Sequence, residues 1–163
     1  MRDILFYGLV FMLLISCKQD KSKVTEDTST FDISTENWPR KTRINTKANT
    51  ILKAWSAYGD LDKTFDGLYT VENTEDLSLI VEDLIERQQL MAESEYPESF
   101  DKPQIKSRQK VFHTFILKTK GDLEYRVDPQ QSVRQMIDAY NVLRHQFDII
   151  TNNTLDIEML LEE

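Results

Sequence analysis

Residues 128–152 read DPQQSVRQMIDAYNVLRHQFDIITN. Val133, Met136, Ile137, Tyr140, Leu143, Phe147 and Ile150 recur at intervals of three and four, the period that lays side chains along one side of an α-helix. A stripe this regular has to be covered, so the segment predicts a helix packed against others. Its start is marked by Asp128-Pro129, a capping carboxylate followed by a proline suited to the first helical position. Asn152 and Asn153 are expected to stop it, leaving an acidic tail whose Leu155, Ile157, Leu160 and Leu161 would form a last short helix.

Working outward, three further segments carry the same period. From Trp38-Pro39 the sequence predicts a first helix with Ile44, Ala48, Ile51, Trp55 and Tyr58 on one face, ended by Gly59-Asp60. Leu61, Phe65, Leu68 and Tyr69 suggest a short extra turn before Asn73-Thr74. A second helix is expected from about Glu75 to Tyr96, with Leu77, Ile80, Val81, Leu84, Ile85 and Met91 inside and acids in its first turn, where the helix dipole favours them. Pro97 and Pro103 bracket a loop whose Phe100 plugs the end. A third helix follows from Lys102 or Pro103 to about Leu123, with Ile105, Phe112, Phe115 and Ile116 facing in and Gly121 as an early stop.

Four amphipathic segments with brief connections and no strand-like alternation predict an all-α fold, an antiparallel up-and-down bundle of about four helices spanning 38–163. Charge adds a prediction about neighbours. Asn37–Tyr58 holds five basic residues and no acid, and Lys102–Lys120 holds six and no acid. Glu75–Glu98 holds eight acids against Arg87 alone, so the second helix is expected to face opposite charge along both seams. Exposed pairs stabilise by only about 0.2–1 kcal/mol each, which makes them selectors of neighbours more than sources of stability.

The N-terminus is organised differently. Ile4 to Ile15 is an apolar run of 12 residues, broken only by Tyr7, Gly8 and Met12, whereas a bilayer-spanning helix needs about twenty. Its length is that of a signal-peptide apolar region, with the small Ser16 at the cut and a polar tail directly after. The end of the run, Leu13-Leu14-Ile15-Ser16-Cys17, resembles the lipobox of bacterial lipoproteins: an aliphatic residue, a variable one, a small one and the modified cysteine. The resemblance implies that Leu14 and Ser16 frame the cleavage, that residues 1–16 are a signal peptide, and that Cys17 becomes the lipidated first residue. Lys18 stands where that family's inner-membrane retention signal is an aspartate, which implies the outer membrane, at its periplasmic face or the cell surface. Residues 17–37 then read as the lipidated cysteine and a flexible linker, since Lys, Asp, Glu, Ser and Thr with isolated Val24, Phe31 and Ile33 cannot bury enough surface to order themselves; Phe31 and Ile33 would at most dock loosely. The stretch Asp101 to His145, including Lys102-Pro103-Gln104-Ile105-Lys106-Ser107-Arg108 and Ala139-Tyr140-Asn141-Val142-Leu143, is similar to small helical lipoproteins of the envelope, which implies a bundle and supplies no chemistry.

Removing residues 1–16 leaves the full formal charge of −8, because Arg2 and Asp3 cancel. An acidic chain is poorly suited to nucleic acid, whose binding is dominated by phosphate neutralisation. With Cys17 the sole cysteine there is no disulfide framework. The four glycines, Gly8, Gly59, Gly67 and Gly121, build neither a dinucleotide nor a phosphate loop. No nucleophile elbow or zinc-binding histidine pair is present. Lys110 and Val142, three residues before His113 and His145, are not the glutamates a bundle di-metal site would require, so no metal and no cofactor is expected. With the anchor that the lipobox resemblance implies, the expectation is a lipid-anchored envelope protein of non-enzymatic, interaction type, an accessory or adaptor subunit held to the membrane and to a protein partner. Its candidate partner residues are Lys106, Arg108, Lys110, Lys118 and Lys120, a basic face that a pairing with the second helix would instead neutralise. The alternatives are a carrier of a small molecule or haem, with His113 or His145 opposite Met91 or Met136, and a chaperone-like binder of envelope proteins.

Overall fold

The computed structural model describes the backbone of residues 31–161 and the side chains of residues 31–153. The elements are α1 (Thr46–Lys53), α2 (Ser56–Gly67), a 3-10 turn (Leu68–Thr70), α3 (Thr74–Glu93), α4 (Pro103–Glu124) and α5 (Gln130–Leu161). The described residues contain no strand, so the all-α expectation stands. Successive helices are packing partners: α2 lies against α3, α3 against α4, and α4 most extensively against α5.

The three long helices follow their apolar stripes. In α3, Leu77, Val81, Leu84 and Met91 are buried; in α4, Ile105, Phe112 and Ile116; in α5, Val133, Met136, Ile137, Tyr140, Leu143 and Phe147. Asn73 caps α3 by accepting from Asp76 N at 2.8 Å, and Pro103 occupies the first turn of α4. Rings fill the centre. Phe65 stacks on Tyr140 with centroids 4.0 Å apart, Phe112 lies 4.9 Å from Tyr140, and Phe100 closes one end against Phe147 at 4.6 Å.

The first third of the helical domain departs from the expected single helix. Residues 38–45 form an extended strap that runs along α5, and the helix begins only at Thr46, where Asn45 accepts from Ala48 N at 2.8 Å. The strap is held by side chains of α5. Trp38 Nε1 donates to Gln130 Oε1 (2.8 Å), Thr42 N to Asn141 Oδ1 (2.9 Å) and Asn45 N to Asp148 Oδ1 (2.9 Å), so its backbone groups find partners outside any helix. A second break falls at Ala54-Trp55, where Trp55 is extended (φ −97°, ψ 91°) and its indole N–H reaches Ser94 Oγ at 2.8 Å. Gly59-Asp60, the expected stop, lies inside α2, because Tyr58, Leu61 and Phe65 continue a buried stripe across it. At the end of α2, Gly67 permits a close approach: a Cβ there would sit 2.9 Å from Ile80 Cδ1.

Three further expectations are corrected. Gly121 lies within α4, and α5 runs unbroken through Asn152-Asn153, whose side chains weaken a helix by well under 1 kcal/mol each and so do not end one. The charge seams are largely absent. Among the described residues the ion pair between α3 and α4 is Lys120 Nζ–Glu82 at 3.9 Å, while Arg87 pairs within its own helix with Asp83 at 3.1 Å. Of the span read as linker, residues 31–37 are described: Ile33 is buried, Phe31 rests on the core, and Asp32 O accepts from Gln130 Nε2 at 3.3 Å. Cys17 and the rest of that span lie outside the described residues.

The close of α4 has the geometry of a Schellman motif. Arg126 N donates to Leu123 O (3.2 Å) and Val127 N to Asp122 O (2.8 Å), with Arg126 left-handed at φ 55°. A glycine adopts that conformation without the Cβ clash, which costs other residues about 1 kcal/mol. Arg126→Gly is therefore expected to stabilise the domain by about 0.5–1 kcal/mol, read as a higher denaturant midpoint at unchanged slope; a lower midpoint would show that the arginine side chain contributes more than its backbone costs.

Candidate functional site

A concavity forms where α3 hands over to α4. α3 ends at Glu93 because Ser94 turns extended (ψ 163°), with its hydroxyl donating to Met91 O at 2.9 Å. The chain then passes Tyr96 and Asp101 before Pro103 restarts it. Gln88, Tyr96, Asp101, Lys106, Gln109 and Lys110 line an open cleft of about 550 Å³. It adjoins a cleft of about 380 Å³ against Trp55 and Pro97, shared through Glu95 and Tyr96, and one of about 400 Å³ reaching His113 and Thr114, shared through Gln88 and Lys110. Together they make one groove across the end of the domain.

Its floor is polar and fixed. Gln109 is buried, donates through Nε2 to Gln88 O at 3.4 Å, and accepts the Tyr96 hydroxyl on Oε1. Lys106 Nζ sits 5.1 Å from the Tyr96 ring centre and pairs with Asp101 at 2.5 Å. Burial pushes the Tyr96 phenol up, and the hydrogen bond to Asp101 raises the Lys106 ammonium, so both stay protonated at neutral pH. An aromatic face, two amides and a held ion pair thus lie together, groups able to contact a polar, partly apolar surface. They provide no activated nucleophile. Among the described residues no group of three His, Cys, Asp or Glu side chains could hold a metal ion. His113 Nδ1 is buried without a hydrogen-bond partner among the described residues.

The structure distributes the expected basic face. Lys106, Lys110 and Lys120 share one side of α4, while the 3.6-residue period turns Arg108 and Lys118 away from it. Lys118 pairs with Asp122 (2.9 Å) and Lys120 with Glu124 (3.6 Å), both within α4. Arg108 and Lys110 are exposed and have no carboxylate at ion-pair distance among the described residues. Of the five, Lys106 and Lys110 enter the groove. Leu14, Ser16 and Cys17 lie outside the described residues. His145 is exposed while Met91 and Met136 are fully buried, so that histidine does not join either methionine in the interior.

A second polar cluster, which the sequence reading passed over, joins α5, α2 and the strap. Arg144, 7% exposed, donates from Nη1 to Asp62 Oδ1 (2.5 Å) and Tyr58 Oη (2.8 Å), and from Nη2 and Nε to Thr42 O (2.8 and 3.1 Å). Tyr140 Oη donates to the same Asp62 oxygen at 2.7 Å, and Lys41 Nζ pairs with Asp62 Oδ2 at 3.1 Å. Burial, and after it the Asp62 charge, push the Tyr58 phenol up; burial and then Tyr58 and Asp62 push Tyr140 well up. Burial opposes the Arg144 charge, but Tyr58, Tyr140 and Asp62 outweigh it and raise its pKa. The signal for this cluster was present: Arg144 stands four residues after Tyr140 and three before Phe147, a charge on an otherwise apolar stripe. Gln88 and Gln109 interrupt the stripes of α3 and α4 in the same way.

No family model matches the chain, and no curated protein or solved structure shows significant similarity to it.

Two expectations follow for the buried cluster. Asp62→Asn leaves the guanidinium buried without its anion; with the Asp62 side chain 28% exposed, the loss is expected at about 2–3 kcal/mol, below the range for a fully enclosed pair. A loss under 0.5 kcal/mol in urea unfolding would show that the Thr42 carbonyl and the Tyr58 hydroxyl satisfy the guanidinium without it. The raised phenols also fix the sign of an alkaline effect. The folded chain keeps protons that the unfolded chain releases near the ordinary value of 10.0, so their stabilisation is complete below that pH and is lost as pH rises above it. Tyr140→Phe should reduce the fall in unfolding free energy above pH 10 by about 1.4 kcal/mol per pH unit, and an unchanged slope would remove Tyr140 from the effect.

Proposed function

We propose that this chain is a lipid-anchored envelope protein that works by contact rather than catalysis, as an accessory or adaptor subunit of an outer-membrane complex. Anchoring is supported by the lipobox-like Leu14-Ile15-Ser16-Cys17 at the exit of the apolar run. The observation that favours contact over carriage is the filled centre: Phe65, Tyr140 and Phe112 pack ring to ring where an apolar small molecule or haem would have to sit. The groove at Tyr96, Gln109 and Lys110 supplies a surface with fixed polar groups for a protein partner. Its mixed charges, Glu95 and Asp101 beside Lys106 and Lys110, suit a polar protein surface better than the unfolded, mainly apolar clients of a chaperone. We read the helices as an up-and-down antiparallel arrangement in which α1 and α2 together form the first arm. The sequential packing order and the Tyr58–Phe147 contact at 5.5 Å, which brings α5 back against α2, support that reading.

Native mass spectrometry on protein extracted gently from its own membranes tests anchor and partner together. The expected mass is that of residues 17–163 plus acyl chains, with a second protein bound. Cys17→Ala should leave the membrane fraction; a variant that remains there contradicts the anchor. Lys110→Glu, an exposed change that leaves the core untouched, should lower occupancy of the complex at least ten-fold, and equal occupancy would place the partner away from the groove. A lipidated species carrying only a small-molecule adduct would favour the carrier instead.

A further inference from the structure

The two most apolar exposures of the loop after α4 sit beside the point where the chain enters the domain. Tyr125 is 83% exposed and Val127 51%, on either side of the left-handed Arg126. They are not on a slack segment. Tyr125 N donates to Gly121 O (2.9 Å), and the Val127 N bond to Asp122 O fixes the backbone that presents both side chains. The next residue, Asp128, accepts from Gln130 N at 2.9 Å, and Gln130 binds both Asp32 O and the Trp38 indole. Nearby, Thr74 Oγ1 at the start of α3 donates to Phe31 O at 3.5 Å. The hydrogen-bonded Tyr125-Val127 knuckle and the entering segment at residues 31–33 therefore share one end of the helical layers.

We infer that this knuckle rests on the lipid surface to which the protein is tethered, with Tyr125 and Val127 entering the interfacial layer of the bilayer. The inference rests on the anchor proposed above. Phe31 lies fourteen residues after Cys17, a span of no more than about 50 Å even when fully extended, so a lipid on Cys17 keeps the entry end within that reach of the membrane and makes it the first part of the domain the tether meets. Tethering raises the local concentration of the surface so far that two side chains suffice for a contact too weak to form from free solution. Tyrosine is the residue for that depth, with an apolar ring and a hydroxyl that stays at headgroup level. Charge does not supply the attraction: Glu124 and Asp128 flank Arg126, leaving the loop net acidic, so the contact is with the neutral interfacial layer.

The test uses the full lipidated chain in phosphatidylcholine vesicles whose acyl chains carry bromine, a short-range quencher of indole emission. Trp38 and Trp55 are 3% and 4% exposed and serve as shielded references. One variant carries Tyr125→Trp; a second carries Leu90→Trp at the far end of α3, a site 46% exposed. Read as the difference between each variant and the parent chain, whose two shielded indoles supply the background, the emission of the added indole is expected to be at least two-fold lower and shifted to the blue for Tyr125→Trp, and unchanged for Leu90→Trp. An unquenched Tyr125→Trp, or equal quenching at both sites, overturns the inference. Flotation of wild type against Cys17→Ala with the same vesicles reads the anchor separately: equal flotation overturns the anchor and the inference that rests on it, whereas anchor-dependent flotation without selective quenching at residue 125 overturns the knuckle alone.

Discussion

The structure depends on a single guanidinium placed where its helix should have been apolar. Arg144 points from α5 into the seam between the strap and α2, and a buried cation there is costly unless its donors are used. They are used: Asp62 and Tyr58 from α2, and the Thr42 carbonyl from the strap. Three chain segments are thereby given a common point. Removing the carbonyl of Thr42 from this arrangement by letting residues 38–45 coil into a helix would turn it toward its own N–H donors and away from Arg144. The cation thus selects an extended strap over the helix that Ile44 and Ala48 would otherwise extend backward.

That choice accounts for what the sequence did and did not make legible. α3, α4 and α5 are twenty residues or longer, each with a stripe sustained over about four turns or more, and at that length apolar periodicity overrides isolated breakers such as Gly121 or Asn152-Asn153. The region 38–70 also carries helical spacing, but the period does not distinguish a residue buried by a helix from one buried by an extended strap. Ile44 and Trp38 fit both. The bonds that decide between them come from Gln130, Asn141, Arg144 and Asp148, about one hundred positions away, and no local pattern contains them. The informative marks were the polar interruptions. Arg144, Gln88 and Gln109 each occupy a stripe position and each is buried, and Arg144 and Gln109 each organise a polar cluster; reading the stripes as core alone hid both the strap's anchor and the groove's floor.

Charge blocks misled for a related reason. Opposite net charge on neighbouring helices predicts attraction, yet the acids and bases of α3 and α4 mostly project to solvent while Leu, Ile and Phe occupy the seam. A lysine beside an acid one turn away orders fewer side chains against a nearer partner, so Lys118–Asp122 and Arg87–Asp83 form within helices instead. The five basic residues considered as one face are consequently five different environments. Only the pair at the start of α4 lies where the chain also supplies a concavity, a half-buried tyrosine and a fixed amide.

The strap also gives the molecule two unlike ends. It travels beside α5 from Gln130 to Thr151, so the chain enters at the end that holds the Tyr125 knuckle, while α1 and the groove lie where Asn45 meets Asp148. Tyr96 and Asp101 follow α3, whose 20 residues make a rod of about 30 Å from the entry end. For a protein tethered by its N-terminus, that separation keeps a recognition surface clear of the headgroups, with the interior between the ends filled by stacked rings rather than left open for cargo. Close packing of that kind resists bending, so a partner gripping the groove would bear on the whole domain and not on a hinged part of it. A contact at the entry end then has a mechanical consequence, because pinning the base of such a rod restricts where its tip can point. Under the proposed anchoring and partnership, orientation more than affinity is what a rigid module of this shape would supply.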